Sequence, residues 1–211
     1  LDTFGQYLVG VSPEDGRVVA WNNVPTDPAQ PLNTDPFPGL TDGGHPTSAL
    51  AVVVTPERFL MALGANADPR LVQWGDQESL TVWNPSAVNA AGNFPLQTTG
   101  TLRAGRACKN ETLLWTDTDC WAARYIGGQL VYAFERVGAA CGVVSRGAMA
   151  VVDGQAFWMG LTGFYRYNGY VSPLPCDVVD LVFADFNRTQ ASKVTCHTVA
   201  QYNEVWWHYP S

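Results

Sequence analysis

Hydrophobic and polar positions alternate along this chain over short runs that break off at Gly, Pro, Asn or Asp, and no stretch keeps helical spacing for three or four turns. Five runs share one form: "GRVVAW", "PRLVQW", "NETLLW", "GQAFW" and "YNEVW". Each enters through a turn former and leaves at a tryptophan, at Trp21, Trp74, Trp115, Trp158 and Trp206. Turn chemistry resumes after the first four, in "WNN", "WGDQE", "WTDTD" and "WMGLTG". The tryptophans recur at intervals of roughly 40 to 55 residues, an internal repeat of the length that builds one propeller blade.

A second aromatic strand is predicted behind three of these runs, with Trp83 in "SLTVWNP", Trp121 and Tyr125 in "CWAARYIGG", and Tyr165 and Tyr167 in "GFYRYNG". The predicted unit is strand, turn, strand, loop, strand, with a period near ~45 residues. A small sheet cannot bury both faces alone, so successive sheets are expected to stack around an axis, with indole rings filling the widening gaps between them. The fold class expected is therefore all-β, a β-propeller of repeated antiparallel sheets spanning 1–211, with its closure inside these residues left open.

The segment "GQAFWMGLTGFYRYNGYV" at 154–171 is the densest aromatic stretch. Its two halves, "QAFWMG" and "GFYRYNG", are predicted to pair as a hairpin, and "YNGYV" to form a second on a two-residue Asn-Gly turn. Packing against neighbouring sheets is the expected role of these rings. The alternative, a stacking platform for sugars or bases, needs several rings displayed on one accessible surface. Residues 22–49 hold six prolines and no Lys or Arg, which predicts an extended arm lying on a neighbouring subunit or a flexible connection. Residues 84–107 form the other long connection, with a short strand expected around "GTLRAG".

Composition supports folding and narrows the partners. Of 211 residues, 46% are hydrophobic and 15% charged, with 20 Gly and 14 Pro, which suits a folded, turn-rich protein and excludes disorder. A net charge of -7 and a pI near 4.8 argue against a general nucleic-acid-binding module, whose affinity comes from Lys and Arg neutralising phosphates. No apolar run is long enough to span a bilayer, so no membrane partner is expected. The opening "LDTFGQYLVG" carries no signal-peptide pattern and no initiating Met, so the chain is expected to be part of a larger protein. Five cysteines (Cys108, Cys120, Cys141, Cys176, Cys196) at irregular spacing, without CxxC, are expected to be free thiols in a reducing cytoplasm. The Asn110 and Asn187 sequons carry no meaning without a secretory route.

No catalytic phrase stands out: GxSxG and HExxH are absent, and His45, His197 and His208 are scattered. The local carboxylate pairs are Asp117 with Asp119, Asp76 with Glu78, and Asp177 with Asp180. A glycosidase needs two carboxylates flanking a cleft, whereas acidic residues in such turns usually accept hydrogen bonds from backbone amides. "TDTD" lacks the further oxygens and the glycine of a calcium loop. No catalytic residue, metal ligand or cofactor is therefore expected. "SPEDGRVVAW" and "VVDGQAFW" resemble the Asp-box turn of sialidase-like propellers, but both lack its Thr, and Ser12 and Asp15 stand one residue too far apart. An arginine triad for an acidic sugar is not evident either, since only Arg103 and Arg106 cluster. A carbohydrate-binding or glycan-hydrolysing propeller is the alternative kept.

From residue 51 onward, three long phrases appear in order: "VVVTPERFLMALGANADPRLVQWGDQESLTVWNPS", "AGNFPLQTTGTLRAGRACKNETLLWTDTDCW" and "CGVVSRGAMAVVDGQAFWMGLTGFYRYNGYVSPLPCDVVD". This wording resembles the propeller region of bacteriophage tail-hub or nozzle proteins, including the packaged-DNA stabilisation proteins of short-tailed phages. The resemblance implies a non-enzymatic virion protein, made in the host bacterial cytoplasm, that forms a homo-oligomeric ring, usually of six copies. It implies that the ring sits below the portal and adaptor, lines or closes the DNA exit channel and joins the distal tail proteins. Double-stranded DNA would pass without sequence-specific binding. Members are considerably longer than this chain, and no catalytic residues carry over.

Overall fold

The computed structural model describes residues 1–32 and 42–211. The chain is all-β and builds four four-stranded antiparallel sheets one after another. The first holds β1 (Asp2–Phe4), β2 (Tyr7–Val11), β3 (Val18–Trp21) and β4 (Gln30–Pro31). The second holds β5 (Ala51–Val54), β6 (Leu60–Leu63), β7 (Leu71–Trp74) and β8 (Gly92–Pro95). The third holds β9 (Leu102–Ala107), β10 (Thr112–Thr116), β11 (Asp119–Gly127) and β12 (Val131–Ala139). The fourth holds β13 (Met149–Val152), β14 (Gln155–Met159), β15 (Phe164–Tyr167) and β16 (Val171–Pro173). Each is a meander in which chain neighbours are also sheet neighbours. A short helix, α1 (Val179–Asp185), and a 3-10 segment at Arg188–Lys193 lead to a final hairpin, β17 (Thr195–Val199) and β18 (Glu204–His208).

Side-chain alternation explains why the sheets stack. In β6 all four residues are buried. Leu60 and Ala62 join Phe4, Val9, Val18 and Ala20 of the first sheet, while Met61 and Leu63 face Leu102, Leu114 and Trp121 of the third. Strand β10 repeats the device, with Leu114 packed towards the second sheet and Leu113 and Trp115 towards Met149, Ala156 and Trp158 of the fourth. A strand covered on both faces reads as a continuous apolar run, as "LMAL" and "TLLWT" do. The fourth sheet in turn shares a core with Phe186 and Val194, against which Phe183 and Trp207 pack. Each inner sheet therefore hides both faces against the sheets before and after it in the chain.

Contact between sheets runs mainly through leading strands: β1 and β2 lie against β5, β5 against β9, and β13 against β17, while β9 and β13 are not joined in this way. A parallel bridge joins Gly147, just ahead of β13, to Thr195 at the start of β17. At Gly105 the approach of β9 to β5 leaves no room for a side chain, since a Cβ there would lie 2.8 Å from Cγ1 of Val53. None of the three apolar clusters among the described residues joins the first sheet to the β17–β18 hairpin.

Several details differ from the expectations. The repeating tryptophans do not occupy one equivalent strand. Trp21 and Trp74 end the third strands of their sheets, whereas Trp115 and Trp158 lie on second strands. The sheets themselves begin about every 50 residues, at Asp2, Ala51, Leu102 and Met149. The tryptophan spacing slips by one strand against that frame between the second and third sheets. Trp83 lies in a loop rather than a strand, though its side chain is fully buried.

The hairpin of β14 and β15 forms as expected, pairing Trp158 with Tyr165. The next turn is longer than two residues: Tyr167 pairs with Val171, leaving Asn168, Gly169 and Tyr170 in the loop. The two-residue turn lies instead at Asp153-Gly154, where φ values of 50° and 76° are the left-handed pair that matches strand twist. Strand β9 falls where "GTLRAG" predicts one, and β8 is added ahead of it.

Of the proline-rich segment 22–49, residues 33–41 lie outside the described residues. Of the rest, Gln30–Pro31 pairs with β3, and the Asp42 carboxylate accepts from the amides of Trp83 and Asn84.

Candidate anion site at the converging first strands

Two cavities lie where the first strands converge. One, of about 340 Å³, is lined by residues that include Leu50, Leu102, Arg103, Arg146, Ala191 and Ser192, which places it between the leading ends of β5, β9, β13 and β17. The other, of about 90 Å³, is lined by residues that include Leu1, Val11, Ala51, Arg103, Arg106 and Arg146. Arg103 and Arg146 line both.

Local structure explains how three arginines meet there. The pairing of β9 with β10 shifts register, with Trp115 opposite Ala104 and Thr116 opposite Leu102, so Arg103 is the extra residue of a bulge. A bulge breaks strict alternation and re-aims a side chain. Arg103 and Arg106 thereby line one cavity although they stand three positions apart on a strand. Arg146 sits on the turn that opens the fourth sheet. That turn is anchored by buried Ser145, whose hydroxyl donates to the Val194 carbonyl, while the Gly147 amide donates back to Ser145 Oγ at 3.2 Å.

The electrostatics are unbalanced. Arg103 pairs with Asp117 at 3.1 Å. Arg106 donates to its neighbour's carbonyl, Gly105 O, at 2.9 Å. Among the described residues neither Arg106 nor Arg146 has a carboxylate partner, which is true also of Arg136, Arg166 and Arg188 but not of Arg17, Arg58, Arg70 and Arg124. Three permanent cations beside one carboxylate, in a protein of net charge -7, make this a local basic pocket. The expectation that only Arg103 and Arg106 cluster is thus corrected, with Arg146 brought to them by the stacking of two sheets. One signal for it was legible: Arg103 and Arg146 stand the same number of residues ahead of Trp115 and Trp158.

The other candidates have plainer surroundings. The Asp117 carboxylate also accepts from the Thr101 amide at 2.8 Å, and buried Asp119 accepts from the hydroxyls of Thr98 and Thr116. Asp76 accepts from the Ala90 amide, and Glu78 pairs with Arg58. These carboxylates brace turns. No group of three or more His, Cys, Asp or Glu residues that could hold a metal ion occurs among the described residues. All five cysteines are free thiols. Burial pushes the Cys108 thiol up to about 12 and Cys141 to about 11, and raises Cys120 well above the ordinary range, so these sulfurs stay protonated and weakly nucleophilic. The structure brings His197 and His208 together, their rings stacked at 4.9 Å across β17 and β18.

The five repeat tryptophans differ in burial. Trp74, Trp115 and Trp158 are buried between sheets. The Trp74 indole donates to Ala90 O at 2.9 Å and that of Trp158 to Cys141 O at 2.6 Å, while the Trp115 indole N–H has no partner among the described residues. Trp21 is half-buried and donates to Asp27 O at 2.6 Å. Trp206 is 47% exposed, and its neighbour Trp207 turns inward and donates to Ala148 O at 3.0 Å. In the stretch 154–171, Trp158, Phe164 and Tyr167 are buried and only Tyr170 is exposed among its aromatic residues, so these rings form no surface platform.

No protein-family model matches the chain, and a search of curated proteins likewise finds no match. No helix among the described residues is long and apolar enough to cross a membrane.

Proposed function

We propose that this chain is a non-enzymatic structural protein of a bacteriophage virion, the propeller region of a tail hub or nozzle. On this reading the stacked sheets are blades, and copies of the protein form a homo-oligomeric ring of six below the portal and adaptor. The ring lines or closes the DNA exit channel, retains packaged DNA and joins the distal tail proteins. The observation that carries the reading is the ordered series of tail-hub-like phrases over 52–86, 91–121 and 141–180, which fall on three successive sheets.

Charge adds support. Duplex DNA carries one negative charge per about 1.7 Å of axis, so a strongly basic channel would grip it. A net charge of -7 per copy suits a conduit through which DNA slides. The test is genetic: particles assembled without the protein are expected to lose packaged DNA and to lack the distal tail parts. Full DNA retention with complete tails would refute the role.

A second reading, a carbohydrate-binding or glycan-hydrolysing propeller, is favoured by one observation, the cavity lined by Arg103, Arg106 and Arg146. It predicts a signal from acidic glycans on an array or in a hydrolysis assay. A flat response across host polysaccharides removes it.

A further inference from the structure

We infer that the basic pocket of Arg103, Arg106 and Arg146 is a binding site for a small organic acid, whose carboxylate or phosphate group is held by the three guanidinium groups. The inference shares this pocket with the carbohydrate reading but does not need it, since phosphate binding with a flat response to acidic glycans would uphold the pocket and remove that reading.

Charge placement comes first. The chain has 12 Lys and Arg residues against 19 Asp and Glu, yet three of the 12 line a single small cavity with one carboxylate beside them. Arg103 and Arg106 come from one sheet and Arg146 from the turn opening the next, so like charges are held together by the stacking of the sheets. Such repulsion weakens the empty pocket and is relieved by a bound anion. Guanidinium groups are always charged and present paired N–H donors that match the two oxygens of a carboxylate or phosphate.

The walls strengthen the case. Leu1, Val11, Ala51, Leu50 and Leu102 line the two cavities and offer apolar contact to a ligand's carbon skeleton, while the three arginines are exposed, so their attraction for an anion is open to screening by salt. Size selects the ligand class. The cavity that all three arginines line is about 90 Å³, room for one carboxylate or phosphate group, and the cavity that shares Arg103 and Arg146 with it, about 340 Å³, lies at the lower end of small-molecule sites, which run from about 300 to 1,000 Å³. The smaller cavity takes the acid group and the larger one the body of a monosaccharide-sized acid or small phosphate compound, whereas a duplex could only lie across the mouth.

The experiment is calorimetric titration of the purified chain at low salt with three probes: galacturonate, inorganic phosphate and uncharged galactose. Saturable binding of at least one anion, with none of galactose, is expected. Binding of galacturonate alone identifies a carboxylate ligand, binding of phosphate alone a phosphorylated one, and binding of both a site that recognises the shared oxyanion. Arg146→Ala and Arg106→Ala are expected to weaken binding at least ~10-fold, and added salt to weaken it further. Arg136→Ala, an exposed arginine on β12, should leave it unchanged. If Arg146→Ala does not fold, Arg146→Lys keeps the charge but loses the paired donors, and a several-fold loss is expected. The inference is overturned if no anion binds saturably, if Arg136→Ala weakens binding as much as Arg146→Ala, or if a short DNA duplex binds through these arginines more tightly than either small anion.

Discussion

Two buried indoles at the same sheet interface differ in one atom's fate. Trp115 and Trp158 pack edge to face at 5.5 Å, both fully buried, but only the Trp158 N–H reaches a carbonyl, that of Cys141. A buried donor without a partner has already lost its water, so removing it recovers stability that removing a satisfied donor does not. Trp158→Phe should therefore cost about 1 to 2 kcal/mol more than Trp115→Phe, read from urea unfolding monitored by the remaining tryptophans. Equal costs would show that the Cys141 contact contributes nothing.

Asp42 offers a second test at this scale. Partial burial works to raise its carboxyl, but hydrogen bonds from the amides of Asn84, Gly44 and Trp83, with the charge of His45, outweigh it and hold the group below the usual carboxylate range. A carboxyl lowered in the folded state adds stability above its unfolded pKa of about 3.9, and that stability is lost as pH falls through the lower folded value. Asp42→Asn should thus flatten the fall in stability below about pH 4, followed by thermal unfolding across pH. An unchanged acid limb would contradict the assignment. Neither effect was legible in the sequence, because Asp42 meets Trp83 across two connections that carry no periodic signal.

Single elements were far more legible than their frame. Short apolar runs ended by turn residues marked the hairpins, since backbone chemistry at Asp153-Gly154 or the close pairing of β14 with β15 is local. The tryptophan repeat gave the right kind of unit but a shifted phase, because an indole fills the gap between sheets from either a second or a third strand. At Trp206 the adjacent Trp207 supplies the inward ring, and strand alternation places one of two neighbouring tryptophans on each face. The close contact of β9 with β5 supplies the test here. Gly105→Val would drive a branched side chain into Val53 and Leu63 and should destabilise the chain by about 1 to 3 kcal/mol, the range for overpacking. A neutral result in denaturant unfolding would mean that the sheets do not approach as closely as the structure shows.

For the whole molecule, the sequence supported an all-β chain of stacked sheets because continuous apolar strands such as β6 and β10 can only be satisfied by neighbours on both faces. The basic pocket was only half visible: Arg103 and Arg106 lie together in the chain, while Arg146 joins them through a contact between sheets. The proposed place in a phage tail rests on sequence wording and overall charge. Electron cryomicroscopy of the intact particle tests it most directly. A ring of copies below the adaptor, with this chain's stacked four-stranded sheets resolved in the density, is the predicted result; absence of the chain from the particle, or its location on receptor-binding appendages with a saccharide bound, would contradict it.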